Sequence, residues 1–203
     1  MLAALLLVQA AAQTAVDAER AFNRAAQTQG QWKAFRAFST PDATIFTPQP
    51  AKAHEVLPTK EPAIAVQWWP AESYVSCDGK LAVNTGPWVR PKGFGYFTTV
   101  WVRQSDGAWK WIMDGGDALT KPRALPEEPK VRHASCAAGA TNEPRDKARI
   151  ESNAKFDLGN SPDGSLRWFW TVDGDGARIF SAELWNGRRF ETVIENKIVA
   201  NKP

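Results

Sequence analysis

Two carboxylates, an imidazole and two phenols are the groups in this sequence best suited to proton transfer. They are Asp42 in 41-PDATIF-46, Asp114 in 111-WIMDGGD-117, His54 in 51-AKAHEV-56, and Tyr74 and Tyr96. A carboxylate buried against aromatic rings has its pKa raised and becomes a competent general base at neutral pH. An imidazole exchanges protons in the same range, and a phenol can steady a developing oxyanion. Each residue also has a structural reading. An Asp that follows proline caps a turn through local backbone hydrogen bonds. Asp114 can terminate a strand before Gly115-Gly116, His54 can sit in a polar loop, and Tyr96 can pack at a strand start. Trp68, Trp69, Trp88 and Trp101 are candidate lining for a ligand pocket, or rings that fill the same space. The abundance of large rings favours filling. Other chemistries lack their motifs. The segments 30-GQWKAF-35 and 93-GFG-95 have neither the spacing nor the partners of a phosphate loop or nucleophile elbow. Cys77 and Cys136 with His54 and His133 do not make a zinc pattern, and no metal or cofactor is expected.

The chain of 203 residues is long enough for a sizeable core, and it carries 25 basic and 22 acidic residues for a formal charge of +3. Opposite charges are interspersed, as in 143-EPRDKARIE-151, so no basic stripe suited to nucleic acid is present. Ten tryptophans and ten phenylalanines stand out, since each buries much area. The start, 1-MLAALLLVQAAAQTA-15, reads as the apolar core of an export signal with cleavage near Ala10 or Ala12, although a basic n-region is missing. The expected location is periplasmic or secreted. Cys77 and Cys136 could pair in that setting, while structural or incidental thiols are the simpler reading. No later run of about twenty apolar residues offers a membrane span.

Residues 15-AVDAERAFNRAAQTQG-30 predict a helix with Ala18, Phe22, Ala25 and Ala26 as its apolar stripe, Glu19 and Arg20 outside the stripe, and Gly30 as its stop. A second short helix, 31-QWKAFRAFS-39, places Trp32, Phe35 and Phe38 on one face. An extended piece follows at 43–48, then a proline-broken segment. From residue 71 the period becomes two. Strands over 71–77 and 80–89 flank Asp78-Gly79, and a long hairpin over 94–117 turns at Ser105-Asp106-Gly107. In that hairpin Phe97, Thr99 and Trp101 share one face. Trp109, Trp111 and Met113 share a face opposite Lys110, Ile112 and Asp114. Neither strand has a clean polar side, so both sheet faces are expected to be covered. Prolines weaken the pattern over 118–160, where a helix within 145–159 is possible. Three strands follow at 165–172, 177–185 and 189–196. The runs 76-SCDGKL-81 and 161-SPDGSL-166 echo each other, either as a degenerate copy or as an ordinary product of meandering strands.

This order resembles the NTF2-like superfamily, and in particular exported bacterial SnoaL-like/DUF4440 proteins. The resemblance rests on 19-ERAFNRAAQTQGQWKAF-35, 41-PDATIFTPQP-50, 68-WWP-70, 85-TGPWVR-90 and 96-YFTTVWVRQSDGAWKWIMDGGD-117. It implies an α+β cone, a curved antiparallel sheet packed on N-terminal helices, over residues 14–117. A signal (1–12), a linker (118–160) and an additional C-terminal antiparallel strand unit (161–200) complete the expected organisation. Family members include cofactor-independent isomerases and cyclases that use a pocket carboxylate as base, as well as binding modules. Asp42 and Asp114 fall where such acids are common, and His54 would border the mouth. Trp68, Trp69, Trp88, Tyr96 and Trp101 would line the pocket. The expectation is a binder of a small apolar or amphipathic ligand, with isomerase- or cyclase-like catalysis as the alternative. Relatives pair through the sheet face, so a homodimer is expected there unless the tail covers that face.

Overall fold

The computed structural model describes residues 14–142 and 154–200. The expected export signal and residues 145–153 of the expected helix lie outside them. Helix α1 (Ala15–Gln29) opens with Thr14 and Asp17 capping each other's backbone N–H groups. Gly30 turns the chain at φ 113° into α2 (Gln31–Phe38). The Glu61 carboxylate accepts from the N–H groups of Trp32 and Lys33, so the start of α2 is capped from a distant loop. There follow β1 (Ser39–Phe46), β2 (Pro50–Lys52), α3 (Ala53–Val56), β3 (Gln67–Trp68), β4 (Glu72–Val75), β5 (Leu81–Arg90), β6 (Gly93–Arg103) and β7 (Trp109–Ala118). The remaining strands are β8 (Lys130–His133), β9 (Lys155–Asn160), β10 (Leu166–Val172), β11 (Arg178–Trp185) and β12 (Phe190–Ile198).

The fold is α+β. Strands β1 to β8 form one curved, mainly antiparallel sheet in the order β2-β1-β7-β6-β5-β4-β8, with β3 paired to β5. Its inner face holds α1 and α2 through Phe22, Trp68, Phe97, Trp101, Trp109 and Trp111. Phe22 is the hub, meeting Phe35 at 4.8 Å and Trp68 at 4.7 Å edge-to-face. Strands β9 to β12 form a second sheet in chain order. It lies on the outer face of the first, where Val83, Val100 and Met113 pack with Leu166, Trp168, Trp170 and Phe180. The face expected to meet a second copy is therefore covered from within the chain.

The 118–160 connection contains more structure than its prolines suggest. β8 pairs in parallel with β4, and residues 155–160, expected as the end of a helix, form β9 against β10. Partner strands decide these segments, since neither has strong periodicity of its own. Cys77, after β4, is joined by a disulfide to Cys136, after β8, with Cα atoms 5.2 Å apart. The two echoing runs fold alike. In each, a serine hydroxyl donates to the Asp two residues on, and the backbone N–H of the following leucine donates back to that serine. The turns also dock on each other, with Asp78 N–H donating to Asp163 Oδ2 at 2.8 Å and Cys77 N–H to Ser165 Oγ at 2.9 Å. Each begins a four-strand antiparallel meander, β4–β7 in one sheet and β9–β12 in the other.

Candidate functional site

A cavity of about 460 Å³ remains open between the helices and the inner face of the large sheet. Its walls are mainly aromatic, with Phe22, Trp32, Phe35, Trp68, Trp88 and Phe97 among them, and its polar lining includes Gln31, Arg90, Asp114 and Asp117. The expected filling of the cone by tryptophan is corrected here. Trp109 and Trp111 pack into the core below, and Trp101 is turned away to a buried acid.

A β-bulge delivers Asp114 to this space. Strict alternation would put Asp114 on the face opposite Trp111 and leave Met113 beside it. The structure pairs Trp101 with Trp111 but Val100 with Met113, so Ile112 is the extra residue and every side chain after it changes face. Met113 accordingly packs toward the second sheet, while Asp114 stands opposite Thr99 on the cavity side. The expected grouping of Met113 with Trp109 and Trp111 fails for that reason. Gly115 and Gly116 continue the wall. At Gly116 a Cβ would lie 2.0 Å from the Tyr96 carbonyl oxygen, so the strands approach too closely for any side chain.

Asp114 is half-buried, and Thr99 Oγ1 donates to its Oδ1 at 2.7 Å. No other hydrogen bond or ion pair to it is made among the described residues. Burial pushes its carboxyl up to about 7, against the Thr99 hydrogen bond and the charge of Arg178, which pull the other way. Arg178 reaches this region from β11, behind the wall. It donates to the Gly116 carbonyl at 2.9 Å and lies 4.0 Å over the Phe46 ring.

Beneath the cavity lies a second carboxyl that the sequence reading misplaced. Glu19 is fully buried and accepts from the indole N–H of Trp68 at 2.8 Å, that of Trp101 at 2.7 Å and the Asn84 amide at 3.1 Å. Asn84 is oriented by a second donation, to the Ala15 carbonyl at 2.8 Å. Burial raises Glu19 to about 7, opposed by these donors and assisted by the charge of Asp114. The signal was present: Glu19 is four residues after Ala15 and three before Phe22, within the stripe rather than beside it.

The other expected site residues are dispersed. Asp42 is exposed and its carboxylate is 3.4 Å from Lys52 Nζ, so it lies away from the cavity lining. His54 shares a 2.7 Å hydrogen bond with Ser39 Oγ and is not among the lining residues. Tyr74 lies on the outer side, its hydroxyl donating to Glu72 at 3.0 Å and held up at about 12 chiefly by burial. Tyr96 borders the cavity, but alternation along β6 turns its side chain to the face opposite Thr99, where the Arg123 guanidinium lies 4.8 Å over its ring. Trp68 and Trp88 line the space. Trp69 does not, and Trp101 is sealed below. These two indoles have committed N–H groups, Trp68 to Glu19 and Trp88 to the Tyr96 carbonyl at 3.0 Å, whereas Trp32 is a third lining indole. The cavity thus brings one expected acid together with two expected tryptophans, and it has no imidazole or phenol aimed at that acid.

No family model matches the sequence, and no curated protein matches it significantly. Among solved structures, the chain is similar to a nuclear transport factor 2 (NTF2-like) superfamily protein from Salmonella enterica subsp. enterica serovar Typhimurium. That likeness has a TM-score of 0.39 and 11% identity over 56% of this chain and 93% of that one. It is also similar to a "putative ketosteroid isomerase" from Shewanella frigidimarina, with TM-score 0.37 and 17% identity over 50% of this chain and 92% of that one. A third, with the same description and from Parabacteroides distasonis, has TM-score 0.40 and 15% identity over 53% of this chain and 90% of that one.

Proposed function

We propose that this chain binds a small, largely apolar molecule in the cavity between its helices and its large sheet, with the polar end of that molecule at Asp114. The observation that carries this reading is an open space of about 460 Å³ with aromatic walls and a single half-buried carboxyl facing in. Ligand pockets commonly combine these features: apolar walls give affinity and a few convergent polar groups fix orientation. The test is titration with the neutral fluorophore Nile red, following its emission. Val66→Trp, which fills the space from a lining position, should cut affinity at least tenfold while leaving the melting temperature close to that of the parent. Equal binding by parent and filled variant would contradict the reading.

A second reading is proton transfer by Asp114 as a general base, with no cofactor. It is favoured by a carboxyl lifted to about 7, the range in which such a base works best. It requires a donor for the substrate's oxygen, which a binder does not. We also propose export to an oxidising compartment, supported by the Cys77–Cys136 disulfide. Cell fractionation that finds the chain in the cytosol with both thiols reduced would contradict this.

A further inference from the structure

The ligand's polar group can be specified from what Asp114 lacks. This deepens the reading just given and rests on it. A half-buried carboxylate is normally compensated by a cation or by several hydrogen bonds. Asp114 has one hydrogen bond, from Thr99, and no ion-pair partner among the described residues. Arg178, the guanidinium behind the wall, is engaged by the Gly116 carbonyl and the Phe46 ring. Arg90, the basic residue of the lining, is stacked 5.2 Å over Trp88. In the lining itself one inward carboxyl, Asp114, stands with that one guanidinium, and Glu19 adds a second acid beneath, while Asp117 pairs with Tyr96 across the strands and shares its outward face. The remaining walls are ring faces, whose negative quadrupole attracts cations more strongly when water is excluded.

The donors point the same way. A carbonyl or carboxylate placed at Asp114 would need N–H or O–H groups aimed at that spot. The indoles of Trp68 and Trp88 are committed elsewhere, and the Thr99 hydroxyl already donates to Asp114. The lining's other N–H groups, on Gln31, Trp32 and Arg90, come from α2 and the end of β5, and at Asp114 itself the cavity offers an acceptor beside π-surfaces.

We infer that the cavity takes a hydrophobic amine, whose ammonium group pairs with the Asp114 carboxylate while its apolar body lies against the rings of Phe22, Phe35, Trp68 and Trp88. The ammonium supplies the missing counter-ion, and the aromatic wall receives the apolar body. Because the Asp114 carboxyl sits near 7, amine binding below that pH displaces its proton, and affinity rises with pH until the acid is ionised. The charged and titratable groups around Asp114 are Glu19 from α1, Asp117 on the same strand, Tyr96 on β6, Arg90 on β5 and Arg178 on β11. Glu19 is likewise lifted to about 7, and its ionisation reinforces the trend.

Isothermal titration calorimetry of the full chain with phenylpropylamine, its alcohol and its carboxylate isostere tests this at about pH 6 and pH 8. The expected result is amine binding about tenfold or more tighter than the alcohol at the higher pH, with the carboxylate weakest. The preference should narrow at the lower pH, with proton release read from buffers of different ionisation enthalpy. In Asp114→Asn, checked for folding by tryptophan emission, the preference should vanish and the pH dependence flatten. Alcohol and amine binding equally to the parent chain would overturn the amine assignment and leave the cavity as a general apolar site. Failure of all three to bind would overturn both readings.

Discussion

Glu19, fully buried, and Asp114, half-buried, are both carboxyls lifted to about 7, and they give the protein a testable acid–base signature. Below the usual Glu value of 4.5 both folded and unfolded chains hold the Glu19 proton. Between 4.5 and about 7 the unfolded chain has lost that proton while the folded chain keeps it. The native state then binds more protons, so stability falls as pH rises through this window and levels off above it. For Glu19 the loss is on the order of 3 kcal/mol, and Asp114 adds in the same direction from 3.8 upward. Urea midpoints measured from about pH 4.5 to 8 should decline, and Glu19→Gln, which cannot ionise, should flatten part of that slope. A midpoint that rises across the window would contradict the burial of both acids. At this scale the sequence was half legible. Asp114 stood out because it ends an aromatic-rich strand before two glycines. Glu19 did not, because a charged residue beside an apolar stripe is read as solvated, and its partners Trp68, Asn84 and Trp101 are at least 49 residues away.

The β7 bulge and the glycines after it decide whether Asp114 is a site residue at all. Alternation reads β7 correctly up to Trp111 and then inverts, because a bulge depends on how two strands fit and leaves no periodic trace in either one. The turns, by contrast, were visible at once. Gly79 and Gly107 have φ of 65° and 84°, where an Asp-Gly dipeptide marks the reversal. Helix α2 was visible too, although its cap, Glu61, belongs to a proline-broken segment that announces nothing. The close approach at Gly116 gives a prediction of its own. Gly116→Ala places a methyl 2.0 Å from the Tyr96 carbonyl and should cost about 2–3 kcal/mol in chemical denaturation. A neutral effect would mean that β6 and β7 part more easily than this register allows.

At the scale of the whole molecule, two four-strand antiparallel meanders pack face to face, and the matching Ser-x-Asp-Gly-x-Leu turns after their first strands hydrogen-bond to each other. The repeated turn was legible in the sequence, and so were β10 to β12 from their alternation. Their position was not, since whether a tail covers a sheet or leaves it for a second copy depends on long-range packing. The disulfide holds this arrangement near the junction, because Ser135, beside Cys136, donates its backbone N–H to the Trp185 carbonyl on β11 at 2.8 Å. It closes a loop of sequence separation 59, for which removal of the cross-link should cost about 4 kcal/mol. Urea unfolding of Cys77→Ser/Cys136→Ser against the oxidised parent measures this, and equal midpoints would contradict it.

Asp114 faces the open cavity that a ligand would enter, and its carboxyl is the group to follow. The most direct measurement is a carbon NMR titration of its side-chain carboxyl in aspartate-labelled protein, assigned with Asp114→Asn, alone and with saturating phenylpropylamine. A midpoint near 7 in the free protein, moved downward when the amine is added, is the predicted result. A midpoint at the ordinary 3.8, unmoved by the amine, would show an acid open to water and contradict the account.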